Sequence, residues 1–221
     1  MNSPTIQLLV LAGIAIFLIL KLKSVLGTRE GFEKPPAQVS DRSASANSRP
    51  KLEVIEGGID RDITDHVEEG SDAAKALAAM KEVEPEFSVS DFIAGARGAY
   101  EMILMAFERG DMDSIKPFLS KDVFEAFSDV VEAREKQGMT IEAKFIGLRE
   151  IKLVKARFSQ ASKLAEITIR FIGELNSIVR DKDGNIVEGK PNEVRRQKDI
   201  WTFARTMGSE DPNWKLVATG E

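Results

Sequence analysis

The first apolar run of the chain is long and carries no charge. Between Ser3 and Leu20 every side chain is uncharged, and Gln7 is the one amide in the run. About 17 helical residues span roughly 25 Å, slightly less than the ~30 Å hydrocarbon core of a bilayer, and Lys21 can extend its ammonium group to the interface. The pattern predicts an uncleaved transmembrane helix over residues 1–26, with the lipid bilayer as its partner.

The basic residues around this run predict its orientation. None precedes it, whereas Lys21, Lys23, Arg29 and Lys34 follow it. Because Lys and Arg are enriched on the flank that stays in the cytoplasm, we expect the N-terminus outside and the rest of the chain at the cytoplasmic face of the inner membrane.

Residues 27–70 are polar and contain Pro35, Pro36, Pro50 and a serine-rich stretch. Such a segment buries too little apolar surface to offset its chain entropy, so it predicts a flexible linker. His66, the single histidine, lies here among carboxylates. One imidazole in a polar segment is more typical of a solvated surface than of a metal site, and no metal is expected.

Residues 71–86 predict a short amphipathic helix followed by an acidic stretch. Ser71 is a good N-cap, Leu77 and Met80 repeat at helical spacing, and Pro85 stops the helix. Residues 52–91 hold twelve Asp and Glu against three Lys and Arg, which disfavours contact with anionic lipid. Packing against the following domain is the expected role.

Residues 87–221 change from helical to strand periodicity. Three helices are predicted, ending near Gly110, Leu119 and Gly138, with the first built on the helically spaced residues Phe92, Ala96, Ala99, Ile103 and Phe107. Alternating apolar positions then predict strands at 141–145, 151–158, 165–171, 198–205 and 214–218, with a hairpin tip at Asp181–Gly184. Helices followed by antiparallel strands indicate an α+β domain.

Composition narrows the function classes. The 221 residues include no cysteine and one histidine, which removes thiolate chemistry and most imidazole-based sites. Residues 92–221 carry 21 basic and 21 acidic side chains without a basic cluster large enough for a phosphate backbone. We therefore expect no nucleic-acid partner, no cofactor and no catalytic residue.

Three segments of the domain form a recognisable pattern. They are Phe87-x4-Phe92-x2-Gly95-Ala96-x2-Ala99-Tyr100-x6-Phe107-x2-Gly110-Asp111, the strand Ile200–Arg205, and Asp211–Ala218. These segments resemble the Tim-forty-four-like domain family, and the resemblance covers roughly residues 84–221. The family includes the C-terminal domain of the matrix-side adaptor of the mitochondrial import translocase and its bacterial, membrane-anchored relatives.

The resemblance implies a cone-shaped fold of the nuclear-transport-factor-two-like type, with a curved antiparallel sheet and N-terminal helices around an apolar pocket. It also implies a translocase component or protein client as partner. The long chaperone-recruiting region of the mitochondrial protein has no counterpart here, so chaperone recruitment does not carry over. The acidic residues 71–86 likewise depart from the basic membrane-binding helices of that protein.

Aromatic side chains near the end of the chain are the candidate pocket or client-binding residues. Trp201 and Phe203 alternate on a strand and share one face, and Arg205 follows on that face, where it could pair with Asp211. Trp214 and Tyr100, the only tyrosine, complete the set. The alternative interpretation makes these residues ordinary core aromatics.

Three functions stay open at this point. The first is a non-enzymatic adaptor that holds a protein client at the membrane, in translocation or membrane-protein assembly. The second is a pocket enzyme or small-molecule binder on the same fold, and the third is a periplasmic secretion-system component of opposite topology. The anchor and the absence of an acid–base set favour the adaptor.

Overall fold

Helices precede strands in the computed structural model, which describes residues 60–220. The helices are α1 (Arg61–Thr64), α2 (Asp72–Val83), α3 (Val89–Arg109), α4 (Met112–Ile115), a 3₁₀ turn (Lys116–Phe118) and α5 (Lys121–Lys136). The predicted anchor and most of the predicted linker lie outside the described residues. Within residues 60–220, no helix is both long and apolar enough to cross a membrane.

The helix boundaries follow from local capping. The side-chain oxygens of Ser71, Ser88 and Ser120 accept backbone N–H groups at the starts of α2, α3 and α5 at 3.1–3.3 Å. Gly110 ends α3 with φ of 78°, a left-handed conformation that glycine adopts without strain. The predicted helix start at Ser71 and the predicted helix end at Gly110 are confirmed.

Five antiparallel strands follow and form one open sheet. They are β1 (Thr140–Ser159), β2 (Leu164–Arg180), β3 (Ile186–Glu188), β4 (Arg195–Thr206) and β5 (Lys215–Gly220). The sheet order is β1-β2-β4-β5, and β3 pairs with β2. The predicted turn is present, because the Asp181 carboxylate accepts the N–H groups of Asp183 and Asn185 at 2.9 Å. The α+β class and the antiparallel sheet are confirmed.

The core lies between one face of the sheet and helices α2 and α3. Ile167, Ile169 and Phe171 of β2 have no exposed surface, and alternate residues of β4 share that face. Helix α3 runs across them with Tyr100 and Ile103, which are equally buried. Along most of β2 and the second half of β4, every second residue is buried on the sheet face that packs against one side of α3. This is the pattern expected where a strand and a helix share a core.

Residues 60–86 are part of this core. Leu77 and Met80 of α2 are fully buried, and Ile63 of α1 is 5% exposed. The sequence analysis placed residues up to 70 in a linker because their apolar side chains are few. The structure shows that these few suffice, since Ile63 and Val67 are one helical turn apart and pack together on the domain.

Candidate binding groove

An open groove lies at the N-terminal end of α3. It has a volume of about 420 Å³, within the range of ligand sites in proteins. Its walls come from the α2–α3 connection, the first half of α3, the end of β4 and the loop before β5. Its main lining residues are Glu84, Phe87, Phe92, Gly95, Phe203, Arg205 and Trp214.

Aromatic rings form one wall of the groove. The Trp214 ring lies 4.7 Å from Phe92 and 6.0 Å from Phe87, centroid to centroid. Phe203 meets Phe92 edge-on at 6.1 Å. Such ring pairs are mutually favourable, and Trp214 is the partly exposed member of this wall.

Small residues form the floor. Gly95, Ala96 and Ala99 lie on the side of α3 that faces the groove. A Cβ atom at Gly95 would meet nothing within 4 Å, so the space above it is open. A bound group can therefore approach the helix backbone closely here.

One buried cation lies in the wall. An Arg205 Nη2–H group donates to Glu84 Oε1 at 2.6 Å, and the Gly208 N–H group donates to Glu84 Oε2 at 3.0 Å. The hydrogen bond from Arg205 holds the pKa of Glu84 below its ordinary value. The guanidinium also lies 5.5 Å from the Trp214 ring centroid. The ion-pair partner of Arg205 is therefore Glu84, which lies 121 residues away in sequence, and the charge of Arg205 also contributes to the lowered pKa of Asp211.

The rim of the groove is acidic. Glu86 and Asp91 are exposed lining residues, and Arg205 is already neutralised by Glu84. Asp211 precedes the lining segment Pro212–Trp214, and the backbone N–H of Asn213 is the main cause that lowers its pKa. The groove therefore presents a negative potential to an incoming partner.

The five predicted site residues separate into two groups. Phe203, Arg205 and Trp214 line the groove, although Phe203 and Arg205 are only 2% and 8% exposed. Trp201 is 4% exposed and packs in the core at 4.8 Å from the ring of Tyr100. For Trp201 and Tyr100, burial favours the core interpretation.

The buried Tyr100 side chain is bound to the carboxylate of Asp199, which is partly exposed. Its hydroxyl donates to Asp199 Oδ2 at 2.5 Å, while Gln197 donates to Asp199 Oδ1 at 3.0 Å. Burial and the Asp199 carboxylate raise the pKa of Tyr100 far above its usual range. The hydroxyl has no exposed surface and does not face the groove.

Sequence reasoning missed Glu84, Gly95 and Phe118 as lining residues. Gly95 and Ala99 could have indicated a groove from the sequence. They lie one helical turn apart, and small residues at that spacing on an amphipathic helix leave space beside the helix. His66 shows no metal geometry, since its Nε2 atom lies 3.0 Å from the hydroxyl oxygen of Ser90. Across residues 60–220 no cluster of three potential metal ligands is found.

The fold has N-terminal helices, an open antiparallel sheet and a groove between them. This is the class of fold that the sequence resemblance implies. The Tim44-like domain family matches residues 73–221, and the chain belongs to that family. The match begins at α2, earlier than the sequence motifs suggested, in agreement with the burial of that helix.

Curated relatives bear the name of one complex. The chain is 25% identical over 152 residues to the mitochondrial import inner membrane translocase subunit TIM44-1 of Arabidopsis thaliana, covering 66% of this chain and 32% of that protein. It is 20% identical over 150 residues to the human TIM44 subunit, covering 66% and 33%. The chain thus spans about a third of the length of these relatives.

A solved structure of the intermembrane-space region of the chloroplast protein ARC6 aligns with a TM-score of 0.33 and 11% identity. The alignment covers 49% of this chain and 75% of that chain.

Proposed function

We propose that this chain is a membrane-anchored, non-enzymatic adaptor that holds a protein client at the cytoplasmic face of the inner membrane. The observation that carries the proposal is the open aromatic groove above Gly95. Its volume accommodates a few apolar side chains, and burying apolar surface contributes about 25 cal/mol per Å². Relatives named as translocase subunits support a role in protein transport.

The charge of the rim defines the client segment that we propose. Glu86 and Asp91 are exposed beside the aromatic wall, whereas the guanidinium of the lining residue Arg205 is paired with Glu84. An apolar segment flanked by Lys or Arg complements this arrangement, and an acidic segment is repelled. The occupant is therefore an apolar stretch of a client protein with basic flanks.

The anchoring part of the proposal comes from the sequence. The charge-free run followed by lysines gives a tether of fixed orientation, so the groove stays close to the inner surface of the bilayer. Tethering raises the effective concentration of the domain for clients at that surface. A C-terminal reporter separates this topology from the opposite, periplasmic one.

The non-enzymatic part of the proposal comes from Tyr100. A pocket enzyme on this fold would need an accessible acid–base pair, and the Tyr100 side chain, which is bound to the partly exposed Asp199, has no exposed surface. The exposed groove carboxylates Glu86 and Asp91 suit charge complementarity with a basic client.

Site-specific photocrosslinking in cells tests the proposal. A photoreactive amino acid replaces Trp214 in the groove, and the same probe replaces Val194, which is 53% exposed outside it, as the matched control. We expect reproducible protein adducts from position 214 that are absent from position 194. Adducts of small molecules alone at position 214, or identical adducts from both positions, would contradict the adaptor.

A further inference from the structure

Residues 60–70, which we call the strap, contact the domain through a few polar side chains and through the apolar Ile63 and Val67. The strap contains the four-residue helix α1 and places Ile63 on the core. Its other main contacts are made by Asp60, Asp62 and His66. The groove does not include the strap among its lining residues.

Asp62 is bound at the N-terminus of helix α3. Its carboxylate accepts the N–H groups of Val89 at 2.7 Å and Ser90 at 2.9 Å, and a longer contact from the Ser88 hydroxyl at 3.3 Å. These N–H groups belong to the first turn of a 21-residue helix, where they have no partner within the helix. A carboxylate at this end also interacts favourably with the helix dipole.

Lys81 ties the strap to α2 as well. Its Nζ atom lies 2.8 Å from Asp60 Oδ2 and 2.8 Å from Asp62 Oδ2. Burial alone would raise the pKa of Asp62, yet the hydrogen bonds from Lys81, Ser90 and Val89 outweigh it and lower that pKa. Asp62 therefore joins the strap, α2 and α3 at one point.

This point controls one end of the groove wall. The connection between α2 and α3, residues 84–88, contributes Glu84, Glu86, Phe87 and Ser88 to the groove. Its first residue is held by Arg205 and Gly208, and its last by Asp62. Phe87, between the two, supports the partly exposed Trp214 ring.

We infer that the strap is a latch that sets the affinity of the groove for its client. With Asp62 seated on α3, residues 84–88 are fixed and the aromatic wall is preorganised for binding. With the strap released, Phe87 and Trp214 become mobile and affinity falls. The strap follows the predicted anchor and most of the predicted linker in sequence. Its release would therefore couple the affinity of the groove to the membrane-anchored part of the chain, and this coupling rests on the proposed function.

Short elements with little buried apolar surface open locally at low cost, which makes such a release possible without unfolding the sheet. Helix α1 has only four residues and one buried side chain, whereas β2 alone buries Ile167, Ile169 and Phe171 completely. Opening is thus expected in the strap and the groove wall before any other part of the core.

Two variants of the full chain in lipid nanodiscs test the latch. Asp62→Ala removes the hydrogen bonds to the start of α3 and the Lys81–Asp62 ion pair but keeps Lys81–Asp60. Lys81→Met removes both ion pairs and keeps the hydrogen bonds from Val89 and Ser90 to Asp62. The matched control is Asp72→Ala, because Asp72 makes only an exposed pair with Lys75 at 3.8 Å. Lys81→Arg, which keeps the charge, is expected to behave like the unmodified chain.

Three readouts are needed. We expect hydrogen exchange of residues 84–92 to be faster by about tenfold in Asp62→Ala, because the N–H groups of Val89 and Ser90 lose their acceptor, with β2 and β4 unchanged. Acrylamide should quench Trp214 more strongly, while Trp201, being buried, reports the core. Binding of a labelled Leu/Lys amphipathic peptide should weaken by about threefold or more.

The outcomes separate the latch from the proposed function. Unchanged exchange at residues 84–92, or faster exchange with unchanged Trp214 quenching and peptide binding, overturns the latch. If the unmodified chain binds no peptide, the proposed client groove fails, and the latch is then decided by exchange and quenching alone. Uniformly faster exchange across β2 and β4 also contradicts the latch, because the variant would then promote global unfolding and not release of the strap alone.

Discussion

Two aromatic regions of the molecule lie next to each other on β4 and differ in what covers them. Trp201 is covered by Tyr100, whose ring is stacked on Phe171 at 4.4 Å, and this region is a closed core. Phe203, the next residue on the same strand face, meets Phe92 and the small residues of α3, and this region is an open groove. The residues of α3 that face the strand therefore decide the outcome. A large side chain on the helix closes the aromatic face of β4 into core, and small residues leave it open as a binding surface.

The truncation that removes residues 60–86 should have the largest effect. A fragment of residues 87–221 lacks Ile63, Leu77 and Met80 and leaves Arg205 buried without Glu84. We expect its free energy of unfolding to be lower than that of residues 60–221 by more than about 6 kcal/mol. Such a loss is comparable with the whole stability of a domain. Thermal unfolding of both fragments measures it, and equal midpoints would support the boundary at residue 87 predicted from sequence.

The two tryptophans come next, as a matched pair. Trp201→Ala should cost about 3–5 kcal/mol because it leaves a cavity in the closed core. Trp214→Ala should cost about 1–2 kcal/mol, since that ring is partly exposed, but should weaken client binding more. Denaturant unfolding of both variants gives the comparison, and equal losses would remove the distinction between the regions.

The Glu84–Arg205 pair joins the groove wall to β4. Glu84→Ala should destabilise the domain by about 2–4 kcal/mol by leaving a buried guanidinium unpaired. Glu86→Ala, at an exposed residue of the same connection, should change stability by less than about 0.5 kcal/mol. Equal effects of the two variants in denaturant unfolding would show that the pair contributes little.

The same pair predicts a pH dependence. The pKa of Glu84 is lowered in the folded state from an ordinary value of 4.5. The contribution of its charged form to the free energy of unfolding is therefore fully present above pH 4.5. It is lost as the pH falls through the lowered folded-state pKa. The stability difference between the unmodified domain and Glu84→Gln should therefore be constant near neutral pH and shrink in acid, as unfolding at a series of pH values will show.

Local features of this fold were predictable and long-range ones were not. Ser71, Ser88, Ser120 and Gly110 mark helix ends because capping involves residues only a few positions apart. The long strand β1 was divided into two runs, since three irregularities in its pairing with β2 interrupt the alternation.

The groove depended on contacts that sequence spacing does not reveal. Trp201 and Phe203 were correctly placed on one strand face, but only the position of α3 across the sheet decides that Tyr100 covers one and Gly95 leaves space beside the other. The Glu84–Arg205 pair joins residues 121 positions apart, beyond the reach of any local pattern.

The central claim is that a protein client occupies the space above Gly95. Gly95→Leu places a side chain in that space, where a Cβ atom meets nothing within 4 Å, and should leave stability unchanged or raise it by about 0.5–1 kcal/mol, because glycine is a poor helix residue. Gly98→Leu is the matched control, since Gly98 lies on the same helix, is equally open and does not line the groove. The decisive measurement is the yield of protein photoadducts from position 214 in the two backgrounds. We predict that Gly95→Leu abolishes the adducts while Gly98→Leu leaves them intact; equal yields in both would contradict the account.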